Sequence, residues 1–457
     1  MGSFTWIGET VLLLDRLTPD GEYLYESFKQ AGYDCFVMAL EENYFLPEDV
    51  MSVYDLLLGY GSYEVHPIKP RYFNEIEVPD YWSINKGDLK SGTICYQHEE
   101  KGRIRYAAIK KKYIVDAVDW YDRKGVVRVT DHYNRYGVIC ARTVYNAEGQ
   151  QINKSWFSAE GKERIVENYI TGDIIFNDGD IVKFFRRKMD LLYYFFEKID
   201  FAGRRIFYNS LSTPFLISNH LPVSDAGRKD ILFWQEPIGE GIPGNMQIIL
   251  RGEAGRTDHI MVQKRASYDK LQEFGADSAR IHRLGYIHPF RKENNHKPEA
   301  LICTHSDRIE HCRDIIRALP GMHFHIAAIT EMSSVLMDLG TYDNVSLYPG
   351  ALPEIFDELF DKCDYYFDIN YREEIVAAVR TAFLYNHLIF AFEETAHNRE
   401  YVADAHIYPA EEFNRMIADV EAAMENVTFM ERHLDMQHKE ALAEKTEMYA
   451  EFMKAYA

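Results

Sequence analysis

The segment from Tyr121 to Gly161 repeats itself every 12 residues. YDRKG, YNRYG, YNAEG and FSAEG end on Gly125, Gly137, Gly149 and Gly161, and an aromatic stands four residues before each glycine (Tyr121, Tyr133, Tyr145, Phe157). A fifth aromatic, Tyr169, keeps the spacing where the glycine at that offset is gone. Behind the four aromatics come Asp122, Asn134, Asn146 and Ser158, with glycine three residues later. Such side chains cap a type I turn, and glycine supplies the left-handed residue that closes it. A turn of about four residues leaves about eight for a strand, so each unit reads as one strand and one hairpin turn. Successive units make an antiparallel meander whose turns fall on alternate edges. Tyr121 and Tyr145 mark one edge, Tyr133 and Phe157 the other. This splits what would be a sugar- or base-stacking stripe, and the aromatics read as seals beside tight turns. A lone sheet offers faces and edges for docking. Trp120, Tyr121, Tyr133, Tyr145, Trp156 and Phe157 are therefore the candidate partner interface.

A chain of 457 residues exceeds one hydrophobic core, and its 47% hydrophobic and 14% aromatic content excludes general disorder. With a formal charge of −21, the chain as a whole repels phosphate backbones, so no nucleic acid is expected as partner. The six cysteines include no C-x-x-C pair, which gives no zinc or dithiol signature and fits buried thiols in a reducing cytosol. The start has no leader pattern and no stretch reaches membrane-spanning length, so the expected location is cytoplasmic.

Either side of the meander the pattern is α/β. The expected limits are 1–68 for the first part of an N-terminal Rossmann-like domain and 69–185 for the inserted meander. The rest of the first domain follows at 186–294, then a C-terminal Rossmann-like domain with a terminal helix at 295–457, after the polar linker RKENNHK. Val182–Asp200 reads as an amphipathic helix, REEIVAAVRTAFLY as another, and Leu434–Ala457 as one charged helix. Alternation of strand and helix argues parallel sheets covered on both faces, with sites at the strands' carboxyl ends, in the cleft between domains.

Three strand ends carry polar side chains. DILFWQEP runs through Trp234, Gln235 and Glu236 into a glycine-rich loop, and Gly244 and Asn245 open the next helix. ALICTHS places Thr304, His305 and Ser306 after the first strand of the second domain, with Asp307 as the expected cap of the following helix. AAITEMSS repeats the pattern with Thr330, Glu331 and Ser333. His305 has the chemistry of a general base, but no nucleophile is paired with it. His323 and His325 share a strand face without a third ligand, so no metal is expected, and no catalytic residue or cofactor motif stands out.

Two Rossmann-like domains with an inserted meander resemble a GT-B glycosyltransferase with an added domain. More closely, ERIVENYITGDIIF, DILFWQEP, PGNMQIIL, THSDRIE and AAITEMS resemble the GtfB-type, glycosyltransferase-stabilising chaperone subunits of the accessory Sec system. The resemblance runs through essentially the whole chain. It implies a catalytic GtfA-type partner in a heterotetramer and a serine-rich repeat adhesin as acceptor polypeptide. The reaction implied is transfer of a first sugar, commonly N-acetylglucosamine from its UDP donor, to Ser or Thr. It also implies subunit contact through the meander, a cytoplasmic location with at most peripheral membrane association, and no cofactor of the chain's own. Retaining GT-B enzymes of the related class carry two glutamates eight positions apart around a late helix. Here Arg372 and Arg380 take that spacing, Glu374 lies between them, and the residues eight beyond Glu373 and Glu374 are Thr381 and Ala382. A guanidinium cannot replace a carboxylate that accepts from ribose hydroxyls. The donor site therefore reads as degenerate. The expectation is a non-catalytic, acceptor-binding and stabilising subunit of a protein O-glycosyltransferase. The rivals are an autonomous UDP-sugar transferase and a carbohydrate-binding module.

Overall fold

Short buried runs such as TVLLL and DILFW form the strands of a parallel sheet, because both faces of that sheet are covered by helices. The computed structural model describes residues 9–61, 68–179, 181–199, 201–223, 229–276 and 279–456. The chain lays down β1 (Thr10–Leu14), β2 (Cys35–Ala39) and β3 (Val50–Ser52), then leaves the sheet. It returns as β14 (Arg205–Tyr208), β15 (Asp230–Trp234), β16 (Thr257–Val262) and β17 (Ile281–Arg283), in the order β17-β16-β15-β14-β1-β2-β3. Pairings of β1 with β2 and β14, of β2 with β3, and of β14 with β15 are parallel. The direction of strand addition reverses between β1 and β14.

The excursion is an antiparallel sheet of ten strands in sequence order. β4 (Trp82–Asn85), β5 (Ser91–Tyr96) and β6 (Glu99–Tyr106) precede the repeat, which forms β7 (Val115–Tyr121), β8 (Val127–Tyr133), β9 (Ile139–Tyr145) and β10 (Gln151–Phe157). β11 (Glu163–Asn168), β12 (Ile174–Asp178) and β13 (Ile181–Phe185) complete it. Each repeat aromatic is the last residue of its strand. The four repeat glycines have φ of 73° to 79°, and each donates its N–H to the capping residue's carbonyl at 2.9 to 3.2 Å. Asp122 Oδ1 accepts from Lys124 N and Val126 N, and Asn146 Oδ1 from Glu148 N and Gln150 N. Register shifts at Trp120/Tyr121 and His132/Tyr133 are the bulges such turns produce. The fifth turn keeps a glycine after all. Asn168 caps it, and Gly172 (φ 77°) closes it four residues after the cap, one position short of the 12-residue spacing.

Neither face of this sheet is bare over its whole width. Ile94, Ile104, Val115, Val118 and Tyr133 form a core with Ile76, Phe73, Val78, Trp82 and Ile84, so the segment leading into the meander folds back over it. On the other face Trp156 stacks on Tyr54 at 5.9 Å, and Tyr60 donates to Phe157 O at 3.1 Å.

The third sheet, β18 (Glu299–Thr304), β19 (His323–Ala328), β20 (Val345–Tyr348), β21 (Tyr365–Asp368), β22 (Leu388–Phe392) and β23 (Ile407–Tyr408), has the order β20-β19-β18-β21-β22-β23, all parallel. Its reversal lies between β18 and β21. Ile302, Phe324, Phe367 and Phe390 centre its core.

By contact density the chain forms two compact units: Met1–Trp234, Pro243–Ile260 and Tyr456–Ala457 in the first, Gln235–Ile242 and Met261–Ala455 in the second. The division falls upstream of the expected 294/295 limit. The polar linker RKENNHK is tied into the second unit: Lys292 Nζ reaches Asp361 O, Cys363 O and Asp364 Oδ1, and Asn295 N and Lys297 N donate to Asp364 Oδ2. Gly285 is pressed so closely on Leu442 that a Cβ there would lie 1.8 Å from Leu442 O.

Three helix expectations change. Val182–Phe185 belong to strand β13, and the helix is Lys188–Lys198; Asp200 lies outside the described residues. The terminal helix is two, Val427–Glu440 and Thr446–Tyr456, broken where Leu442 takes a positive φ of 52°. The helix after β18 starts only at Cys312, so Asp307 does not cap it.

Candidate functional site

In the first unit the strand reversal collects polar groups from four segments. Asp15, directly after β1, donates its backbone N–H to Asn209 Oδ1 (2.9 Å), just after β14. Ser210 Oγ accepts from Ser212 N, and Asn245 Nδ2 donates to Leu211 O at 2.8 Å. Trp234 ends β15 at 3% exposure, and its Nε1 is buried with no acceptor among the described residues. Burial raises the pKa of the half-buried Asp15 carboxyl against the opposing pull of Arg16. Gly244 opens its helix with open space where a Cβ would lie. Of the expected set, Trp234, Gly244 and Asn245 belong to this unit. Asp15, Asn209 and Ser210 were missed, although a polar residue straight after a buried strand (LLLD, FYNS) was the available signal.

Gln235 and Glu236 belong to the second unit. Gln235 Nε2 donates to Gln263 Oε1 at 2.9 Å, while Glu236 is exposed and its carbonyl accepts from Ser267 Oγ. At the reversal of the third sheet Thr304 Oγ1 donates to Asn370 Oδ1 at 2.8 Å, the same device of an asparagine bridging two strand ends. Ser306 N donates to Thr304 Oγ1, and Ser306 Oγ accepts from Arg308 N. His305 is half-buried with its Nδ1 unpartnered among the described residues. Thr330 and Glu331 are exposed, but Ser333 is the cap of the helix Ser334–Met337. The histidines of β19 are engaged locally: His323 with Ser346, His325 with Tyr348 and Glu299. Among the described residues no three His, Cys, Asp or Glu are grouped to hold a metal ion.

The segment expected to hold a degenerate donor site is not one helix. Residues 371–377 are irregular, Val376 and Ala377 take positive φ (49° and 47°), and the helix is Ala378–Leu384. Glu374 Oε1 accepts from Val379 N at 2.7 Å, so this carboxylate is engaged within the fold. At the end of β21 the buried Asp368 accepts from His397 N (2.7 Å) and His397 Nδ1 (2.6 Å). The hydrogen bond to Asp368 leads in pushing His397 up to about 9, so the imidazole is cationic at neutral pH. His397 Nε2 in turn contacts Arg372 O. Arg372 is exposed and Arg380 half-buried on the helix. The carboxyl end of β21, beside the reversal of strand order, thus carries an internal ion pair.

Of the expected partner interface, Tyr133 and Trp156 are buried at 5% and 2% exposure. Trp120 is half-buried against the meander's own core and donates Nε1 to Asp131 Oδ2. Tyr121, Tyr145 and Phe157 are half-exposed. The most exposed apolar side chains of the sheet lie at its two edge strands: Tyr81 (93%) and Leu89 (59%) beside β4, and Phe184 (72%), Ile170 (75%), Ile181 (53%) and Val182 (51%) on β13 and in the β11–β12 turn.

Sequence comparison matches four family descriptions in order: GtfB N-terminal domain over residues 11–56, GtfB middle domain over 82–186, GtfB third domain over 188–274, and GftB/GlyA-F C-terminal domain over 300–437. The UDP-N-acetylglucosamine–peptide N-acetylglucosaminyltransferase stabilizing protein GtfB of Streptococcus gordonii is 36% identical over 448 residues, covering 97% of this chain and 98% of the relative. A chain of the crystal structure of the GtfA/B complex bound to UDP and GlcNAc superposes with a TM-score of 0.81 at 35% identity, over 98% of this chain and 99% of that one. The pneumococcal O-GlcNAc transferase GtfA in complex with UDP and GlcNAc shares the fold alone, with a TM-score of 0.60 at 12% identity and 98% coverage of both chains. The architecture is GT-B-like, with an inserted antiparallel sheet, and the chain belongs to the GtfB family of glycosyltransferase-stabilising proteins.

Proposed function

We propose that this chain is the stabilising, acceptor-binding subunit of a protein O-glycosyltransferase. It works with a catalytic GtfA-type subunit in a heterotetramer, and the complex adds N-acetylglucosamine to Ser or Thr of a serine-rich adhesin. The observation that carries this reading is the full-length similarity to a stabilising protein named for that transferase. The engaged Glu374 and the Asp368–His397 pair support a body without donor chemistry of its own. Residues 69–185 hold 19 basic and 17 acidic side chains, a balance of +2, which leaves −23 for the rest of the chain. The inserted sheet is therefore the part of the chain that carries none of its net negative charge, and a negatively charged partner surface meets least repulsion there. Its outer turns and the β13 edge are the contact surface in this reading. The complex works in the cytoplasm, at most peripherally on the membrane; among the described residues no helix is long and apolar enough to cross one.

Co-expression with the catalytic subunit tests the assignment. Phe184→Asp with Ile181→Asp on the edge, and Arg123→Glu with Lys124→Glu on an outer turn, should abolish co-purification and acceptor modification while the isolated chain stays folded. A complex that survives both pairs overturns docking through this sheet. Full acceptor modification by the catalytic subunit alone overturns the stabilising role.

A further inference from the structure

The strand reversal of the first unit holds two polar groups that the fold leaves unused. Trp234 Nε1 is a donor with no acceptor among the described residues, on a side chain 3% exposed. The Asp15 carboxylate is half-buried and makes no hydrogen bond or ion pair with any described residue; its backbone N–H alone is engaged, by Asn209. Everything between them is fixed. β14 separates β15 from β1 in the sheet, Asn209 bridges to Asp15, Ser210 Oγ holds Ser212 N, and Asn245 ties down Leu211.

A buried indole N–H has one use, to donate, and a carboxylate accepts. A ligand that completes both presents an acceptor at one end and a donor at the other. The two strand spacings from β15 to β1 are about 10 Å, the length of about three residues of extended chain. A nucleoside diphosphate fits poorly, because Asp15 and a body of −23 repel it. A neutral polypeptide rich in hydroxyls has the required groups at every residue.

We propose that this strand end seats about three residues of the extended acceptor polypeptide, Trp234 Nε1 donating to a main-chain carbonyl and Asp15 accepting from a Ser or Thr hydroxyl. The seat rests on the acceptor-binding reading above and gives it an address. Asp15 selects for hydroxyls over alanine or a free carboxylate. Burial of Asp15, which raises its pKa, strengthens the hydrogen bond it accepts while it stays ionised.

Anisotropy titration of the assembled complex with a fluorescent Ser/Thr-rich peptide tests this. Asp15→Ala and Trp234→Phe should each weaken binding about tenfold or more, since hydrogen bonds to charged or buried partners are worth that much. The peptide with its Ser residues changed to Ala should bind the unaltered complex correspondingly less well. Asp15→Ala should then cost that peptide nothing further, because the two changes remove one interaction. Thermal melts check the fold, and Asp15→Ala at the half-exposed site serves if Trp234→Phe does not fold. An unaltered complex that binds no such peptide overturns the acceptor-binding reading and the seat with it. Peptide binding that both variants leave intact, or losses that multiply in the Asp15–Ser cycle, overturns the seat alone.

Discussion

The two turn edges of the meander share a sequence pattern and differ in almost everything else. The edge of Asp122 and Asn146 stands in solvent, with Glu148, Gly149 and Gln150 exposed. The edge of Asn134 and Ser158 meets the α/β body. There Arg135 inserts its guanidinium between Leu46 O (3.0 Å), Pro47 O (2.7 Å) and Asp55 Oδ2 (3.0 Å), and its own N–H goes to Tyr44 O. Tyr136 stacks on Tyr60 at 5.2 Å, and Trp156 Nε1 and Lys154 both reach Glu42. Turn chemistry is local and recurs wherever the cap and the glycine recur. What a turn touches is decided by one or two side chains between them: Arg135-Tyr136 in one unit, Ala147-Glu148 in the next.

The largest effect should come from the plug itself. Arg135 and Asp55 are 4% and 6% exposed, and burial pushes Asp55 up to about 6 despite the neighbouring guanidinium. Arg135→Ala leaves that acid without its partner and should cost about 3–5 kcal/mol, read from the urea midpoint of the first unit. Arg123→Ala on the outer edge should stay within about 0.5 kcal/mol. Adding Asp55→Asn should recover part of the Arg135→Ala loss. Equal effects of the two arginines would mean that the body does not grip the inner edge.

How far this was legible in the sequence follows the same division. The turns, their left-handed glycines and the alternation of edges were readable, because every contact involved spans four residues or fewer. The strands of the second unit were readable as apolar runs. Which edge is buried was not, since Arg135 finds its carbonyls 85 to 89 residues away. Tyr133 was placed at a partner interface because a strand-end aromatic looks the same whether it seals a turn or fills an internal core, and Trp156 because a large apolar residue of a sheet looks the same on an open face as on a covered one. Helical periodicity in REEIVAAVRTAFLY missed that Glu374 takes Val379 N and starts the helix late. At the strand ends Trp234 and Asn245 could be chosen by position alone. Asp15 gains its meaning from Asn209, 194 residues on, and Asp368 from His397, 29 residues on.

The glycines give a smaller and cleaner contrast. Gly137 and Gly149 have φ of 77° and 79°, so alanine at either pays about 1–2 kcal/mol for the left-handed backbone. At Gly149 the new methyl meets only Val126 Cγ1 at 4.0 Å, whereas at Gly137 it would lie 2.3 Å from Lys69 O. Gly137→Ala should therefore lose about 1–3 kcal/mol more than Gly149→Ala in the same denaturation experiment. Matching losses would show that the strand-entry segment yields, and that the inner turn is held by Arg135 alone.

Acid should separate the edges with the smallest effect, through His132. Its Nε2 pairs with Thr143 Oγ1 at 3.0 Å on the face turned to the body, and Lys154, Glu42 and Arg105 are the charges that act on it. Burial leads in lowering its pKa to about 3, from an ordinary 6.5. A base with a depressed folded pKa takes up its proton more readily when unfolded. Stability is then intact above about pH 6.5 and falls as the pH drops toward 3. The repeat turns of the outer edge carry no histidine, and His98, in the β5–β6 turn on that edge, stands in solvent. His132→Gln keeps a donor for Thr143 without the titration, so its melting temperature should fall less between pH 7 and pH 5 than that of the unaltered chain, by a few degrees. Parallel melting curves across that range would show that the inner face admits the proton, and that burial there is looser than the plug of Arg135 implies.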